Sequence, residues 1–149
     1  MHPFDIKSVL LAKHAQHVVL IHFPIALFIV GAVFDFLAQW TGKKALAAAA
    51  YYNLLAAAVS TLPVFATGLL AWQFALEGER LKGVLLIHLV LAFLTSGLLW
   101  LVAWLHYKAG RKPEQPLPGY RLPLEFVGVM LVGLTGHLGG FLSGVNGPS

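Results

Sequence analysis

Seven histidines are spread along the 149-residue chain, and four of them stand where they could meet. His17 and His22 lie at the mouth of an apolar run, "HVVLIHFPIALFIVGAVFDFL" (17–37). His88 is one turn inside "VLLIHLVLAFLTSGLLWLVAWLHY" (84–107). His137 is about one turn before the end of the last apolar run, "LEFVGVMLVGLTGHLGGFLSG" (124–144). Imidazole is a base, a hydrogen-bonding group and the commonest metal ligand. Two imidazoles on facing helices can hold a haem iron from both sides, and haem held this way needs no cysteine. The chain has no cysteine, which excludes disulfides, thiolate metal sites, Cys-ligated clusters and haem attached through C-x-x-C-H. No catalytic-nucleophile or phosphate-loop pattern is visible.

Whether these histidines meet depends on the elements that carry them. Hydrophobic residues make up 58% of the chain and charged residues 11%, against about 25% charged in a soluble domain. The charges fall in clumps and leave four long stretches, roughly 17–39, 45–76, 84–107 and 123–142. Each approaches or exceeds the roughly 20 apolar residues needed to cross a bilayer. They take up most of the chain, so we expect a single four-span membrane domain over 1–149. The expected fold is all-α, an up-down-up-down four-helix bundle. Pro24 removes a backbone donor near the start of span one and predicts a kink or a late helix start there. Pro63 falls near the middle of the Ala-rich second span. "EGERLKG" reads as a tight polar turn, and "KAGRKPEQPLPGYRLP", with four prolines, as a loop. The opening "MHPFDIKSVLLAKHAQ" is expected to be a short interfacial helix rather than a signal peptide, because its apolar core is too short. The net charge of +4 suits anionic lipid. The basic residues are scattered over short loops, which argues against nucleic acid as a partner.

Four antiparallel spans bring the starts of spans one and three and the end of span four to one side. With a rise of about 1.5 Å per residue, His22, His88 and His137 then fall within roughly one or two turns of one depth. His17 lies just above them, and His14 reads as interfacial. His106 lies at the opposite side and reads as part of an aromatic exit belt with Trp100, Trp104 and Tyr107. Asp35 and Asn53 are expected to cap or cross-link helices. Lys43, Lys44, Lys108, Arg111, Lys112 and Arg121 flank one side, and Lys7, Lys13, Arg80 and Lys82 the other. The positive-inside rule puts the larger group in the cytoplasm, and so both termini and the histidine layer at the periplasmic face of a bacterial inner membrane.

Polar groups inside a membrane are costly and mark functional sites by default. Gly136, Gly140 and Gly144 recur every four residues on span four, and span two is rich in Ala; both leave space for a planar macrocycle. Phe23, Phe65 and Phe141 could wall it, and Lys13, Arg80 and Lys82 could meet propionates. A zinc or copper site is the rival, needing three or four ligands held tightly. A proton relay or quinol pocket would use the histidines without a metal.

The stretch "HVVLIHFPIAL" resembles the opening H-P-x-x-V-H-F-P-I-A-L of bacterial membrane proteins grouped as domain of unknown function 2231. The resemblance extends to Asp35, to "ATGLLAW" (66–72), to His88 with Ala92, and to "GHLGG". It implies four spans. Some relatives are joined to Rieske iron–sulfur domains, which implies a link to electron transfer and favours haem b over zinc. The sequence departs from the family at Val18, where Pro is usual, and at Asn146, where a His would fall; both direct attention to His22 and His88. The expected function is therefore a haem b-binding electron-transfer protein. His22 and His88 form the expected axial pair, and His17 and His137 a second pair or hydrogen-bonding partners. Its partners would be the lipid bilayer, a quinone or redox protein, and further copies or a larger membrane complex. The alternatives are a non-redox structural or assembly subunit and, third, a metal or small-solute transporter.

Overall fold

The computed structural model describes residues 13–75, 77–78, 80–111 and 117–144, with the side chains of 13–15 and 75 outside the description. Among these residues the chain is entirely helical: α1 (Lys13–Leu20), α2 (His22–Thr41), α3 (Lys44–Ala75), α4 (Gly83–Gly110) and α5 (Arg121–Leu142). Of the expected interfacial helix over 1–16, residues 13–16 belong to α1, while residues 1–12, like Asn146, lie outside the described residues.

Four segments are long and apolar enough to cross a membrane: Gln16–Thr41, Lys44–Phe74, Gly83–Gly110 and Arg121–Leu142. The first joins two helices, α1 and α2, at Ile21. Pro24, in the first turn of α2, has no N–H to offer the carbonyl of Leu20, so the helical ladder is interrupted there and restarts at His22. α2 closes at Gly42, whose φ of 70° lets its N–H turn back to the Ala38 carbonyl at 2.8 Å. α3 runs through Pro63 without a break. α5 begins two residues earlier than the apolar pattern suggests, at Arg121, and ends at Leu142. Gly144 therefore follows the helix, with φ +77°, and does not continue a glycine stripe along it.

Successive helices pack side by side, α2 on α3, α3 on α4, α4 on α5, and α5 back on α2. This is the up-down-up-down bundle. The short α1 lies against α3. All four long helices feed one core of Phe28, Leu54, Ala57, Leu99, Val102 and Val132. Large apolar side chains such as Phe36, Leu62, Phe93 and Met130 face outward, the pattern of a bundle solvated by lipid.

Two glycines set the helix spacing. A Cβ built on Gly128 of α5 would lie 2.5 Å from the Phe28 ring, and one on Gly31 of α2 would lie 2.8 Å from Leu54 Cγ. Small residues at such crossings let backbones approach closely where no hydrophobic effect drives helices together. Nothing stands within 4 Å of a Cβ built on Gly133. Gly128→Ala should therefore lower the melting temperature of the purified protein through overpacking, which costs about 1–3 kcal/mol. Gly133→Ala, which gains helix propensity without a clash, should hold or raise it. Equal melting of the two variants would contradict this packing.

Candidate functional site

Between the four helices, at the end formed by α1, the α3–α4 turn and the end of α5, lies a cavity of about 400 Å³. That volume falls within the roughly 300–1,000 Å³ of ligand pockets. Its lining is largely apolar, with Phe65, Leu89 and Val132 among the walls. Two imidazoles enter it, those of His17 and His88. His88 Nδ1 donates to the Thr135 carbonyl across the α4–α5 interface at 3.1 Å. His17 Nδ1 lies 3.3 Å from Thr67 Oγ1. The Thr67 hydroxyl also lies 2.8 Å from the Pro63 carbonyl of its own helix. In the His88 ring, whose partner is a carbonyl, the proton is thereby held at Nδ1 and the lone pair at Nε2. A partner on the other nitrogen is the arrangement that orients a histidine ligand.

A glycine lies beneath each ring. A Cβ on Gly68 would stand 3.0 Å from His17 Cε1, and one on Gly139 would stand 3.2 Å from His88 Cε1. His17 thus enters from the α1–α3 side and His88 from the α4–α5 side. Gly136 also lines the cavity.

The other sequence-derived candidates lie elsewhere. His22 is exposed, its Nδ1 bonded to the Val18 carbonyl at 2.7 Å. His137 is exposed and meets Phe141 edge-on at 5.0 Å. Neither lines the cavity, so the geometry pairs His88 with His17 instead of His22. Of the three proposed phenylalanine walls, Phe65 lines the cavity, while Phe23 and Phe141 face outward. Arg80 and Lys82 are exposed at the same end; the side chains of Lys13 and His14 lie outside the described residues.

Residues 13–147 match the family model described as predicted membrane protein, DUF2231. The chain belongs to this family. No curated protein and no solved structure matches it. The family assignment agrees with the resemblance drawn from "HVVLIHFPIAL" and "GHLGG".

This DUF2231 protein carries a second polar site at its other end. Asp35 of α2, His106 of α4, and Arg121 and Glu125 of α5 are all buried. Arg121 Nε donates to Asp35 Oδ2 at 2.7 Å, and its Nη2 donates to Gln39 Oε1 at 2.8 Å. His106 Nε2 lies 3.0 Å from Glu125 Oε1 and 4.0 Å from Asp35 Oδ2. Two expectations change here. His106 is 5% exposed, an interior group and not a belt residue. Arg121 is a buried ion-pair partner and not a loop cation. Asp35 does cross-link helices, whereas Asn53 bonds only to the Ala49 carbonyl of its own helix. Trp100, read as part of the belt, donates to Thr61 Oγ1 at 3.2 Å and ties α4 to α3. Glu125 completes the cluster, and its sequence signal is a carboxylate one turn after an arginine in an apolar span.

Removing one partner of a buried ion pair strands the other, at a cost of about 3–5 kcal/mol. Asp35→Ala should therefore destabilise the bundle strongly in a denaturant or thermal unfolding assay. The double variant Asp35→Leu/Arg121→Met should recover most of the loss. A double variant no better than Asp35→Ala would show that the pair's worth is not electrostatic.

Proposed function

We propose that this protein binds haem b in the cavity, where His17 and His88 would hold its iron, and passes electrons at that end of the bundle. The observation that carries the reading is the pair of imidazoles. They reach one apolar cavity from opposite helix pairs, each with Nδ1 hydrogen-bonded to an oxygen, which for His88 leaves the lone pair at Nε2. The two flat glycine surfaces at Gly68 and Gly139 support it, because a side chain there would push the rings from their positions. A zinc site is less favoured: among the described residues, the one group of three or more His, Asp or Glu side chains close enough to share an ion is Asp35, His106 and Glu125, at the other end.

Bound haem would supply a one-electron couple. The chain's own contributions are separate from that chemistry. His17 and His88 bind and orient; the Thr135 carbonyl holds the His88 ring with its proton on Nδ1, and Thr67 anchors the His17 ring; Phe65, Leu89 and Val132 exclude water. The exchange partner would be a quinol or a periplasmic carrier, with the protein in the inner membrane of a bacterium. Removing the buried Arg121 from the loop cations leaves Lys43, Lys44, Lys108, Arg111 and Lys112 against Lys7, Lys13, Arg80 and Lys82. The excess still favours the Asp35–Arg121 end as cytoplasmic.

The test is the absorption spectrum and haem content of the detergent-purified protein from haem-replete cells. We expect a Soret band and a sharp b-type α band on reduction. His17→Ala and His88→Ala should each lose the haem at normal expression, while His22→Ala and His137→Ala should keep it. A colourless wild type would end the reading. Loss of haem in His22→Ala with retention in His17→Ala would transfer the ligand role to His22. A reporter fused at residue 149 should behave as exported; a cytoplasmic signal would reverse the orientation.

A further inference from the structure

The Glu125–His106 pair takes no part in the cavity, and its charge balance has a chemical consequence. Arg121 cancels Asp35, its partner at 2.7 Å. Glu125 remains, 2% exposed, beside an imidazole at 3.0 Å. With His106 neutral and Glu125 ionised, the cluster would hold one uncompensated negative charge in a water-poor interior, which is costly. One added proton removes it, whether it forms an N–H on His106 or an O–H on Glu125.

A second observation comes from the carboxylate itself. Glu125 Oε2 is fully buried and has no hydrogen-bond partner among the described residues, although buried polar atoms are nearly always paired. It is the oxygen available for a proton. Among the described residues, the surrounding elements offer no other group to settle the charge. α2 adds the neutral amide of Gln39. α3 faces α2 with Leu54, one turn from the buried Ala50; its Lys44 is exposed, and its half-buried Tyr51 lies edge-on to Tyr52. On α4, Tyr107 and Lys108 are exposed. A divalent metal ion is disfavoured because the Arg121 guanidinium already occupies Asp35.

The direction of exchange follows from depth. Glu125 lies one turn, about 6 Å, inside the start of α5, and His106 lies one turn before the end of α4. Two turns further in, Phe28, Leu99 and Val132 close the bundle with exposures of 0–3%. That apolar layer separates the pair from the cavity. Arg121, bonded to Gln39 and the Pro118 carbonyl, stands on the surface side.

We propose that the Glu125–His106 pair is a proton-binding site holding one exchangeable proton, reached from the end of the bundle formed by the α2–α3 turn, the end of α4 and the start of α5. The proton comes from water and returns to it; one N–H or O–H bond forms or breaks, and no electron moves. The site does not depend on haem in the cavity.

The experiment is a pH titration of the full chain in lipid nanodiscs, followed by two probes. Histidine ring ¹⁵N NMR reports His106, assigned with His106→Gln. Infrared spectroscopy reports the carbonyl of a buried carboxylic acid. We expect a single one-proton step in at least one of the two probes while helicity is unchanged, and Glu125→Gln to abolish that step. His106 fixed in one protonation state, with no carboxylic-acid band at any pH where the helices persist, would overturn the proposal and leave a permanent ion pair. Stoichiometric zinc in the purified protein, lost in Glu125→Gln, would overturn it in favour of a metal site. If Glu125→Gln fails to fold, the wild-type titration decides alone: a one-proton step in either probe supports the site, and its absence from both refutes it.

Discussion

Hydrocarbon gives a charged or hydrogen-bonding group nothing to bond to, so each such group in this chain must find its partner inside the bundle. The Asp35–Arg121 pair is where that demand acts most strongly. It joins α2 to α5, the helices that close the ring, at 2.7 Å with both side chains buried. The partners are 86 residues apart in sequence, so the pair forms only when the up-down-up-down order is complete. Smaller contacts apply the same rule between other neighbours: Trp100 to Thr61 joins α4 to α3, and Thr95 to Thr135 joins α4 to α5 at 3.0 Å. Such interhelical bonds average only about 0.6 kcal/mol each in membranes. Their value lies in selecting one arrangement of helices rather than in total stability.

Close approach of backbones does the remaining work, and glycine serves it in two ways. At Gly31 and Gly128 the missing Cβ admits a large apolar side chain from the next helix, and the bundle is drawn tight around Phe28 and Leu54. At Gly68 and Gly139 it admits an imidazole. The first pair builds the core; the second shapes a cavity. Identical residues thus have different roles because different side chains lie opposite them.

The bundle is consequently layered along its length. One end holds the apolar cavity with His17 and His88. The middle is filled by Phe28, Leu54, Leu99, Val102 and Val132. The other end holds the four ionisable groups around Glu125. His88 and His106 lie on the same helix, eighteen residues and about 27 Å apart, with the core layer between them. The cavity and the Glu125–His106 pair therefore lie toward opposite ends of the bundle.

The four spans were legible from the sequence because burial in lipid demands long apolar runs, which composition alone reveals. The break before His22 was also legible, since Pro24 cannot donate whatever surrounds it. So was the family, through "HVVLIHFPIAL". Depth along each helix was readable too, and it brought histidines to one end; applied equally to the other end, it would have gathered Asp35, His106, Arg121 and Glu125. Arg121 escaped because it adjoins a proline-rich loop and reads as a surface cation. What depth could not supply was rotation about the helix axis. Whether His17 or His22 turns into the bundle depends on how α1 lies on α3 and on the glycine at 68 that receives the ring. Facing is set by contacts between distant segments, and only the tertiary structure decides it.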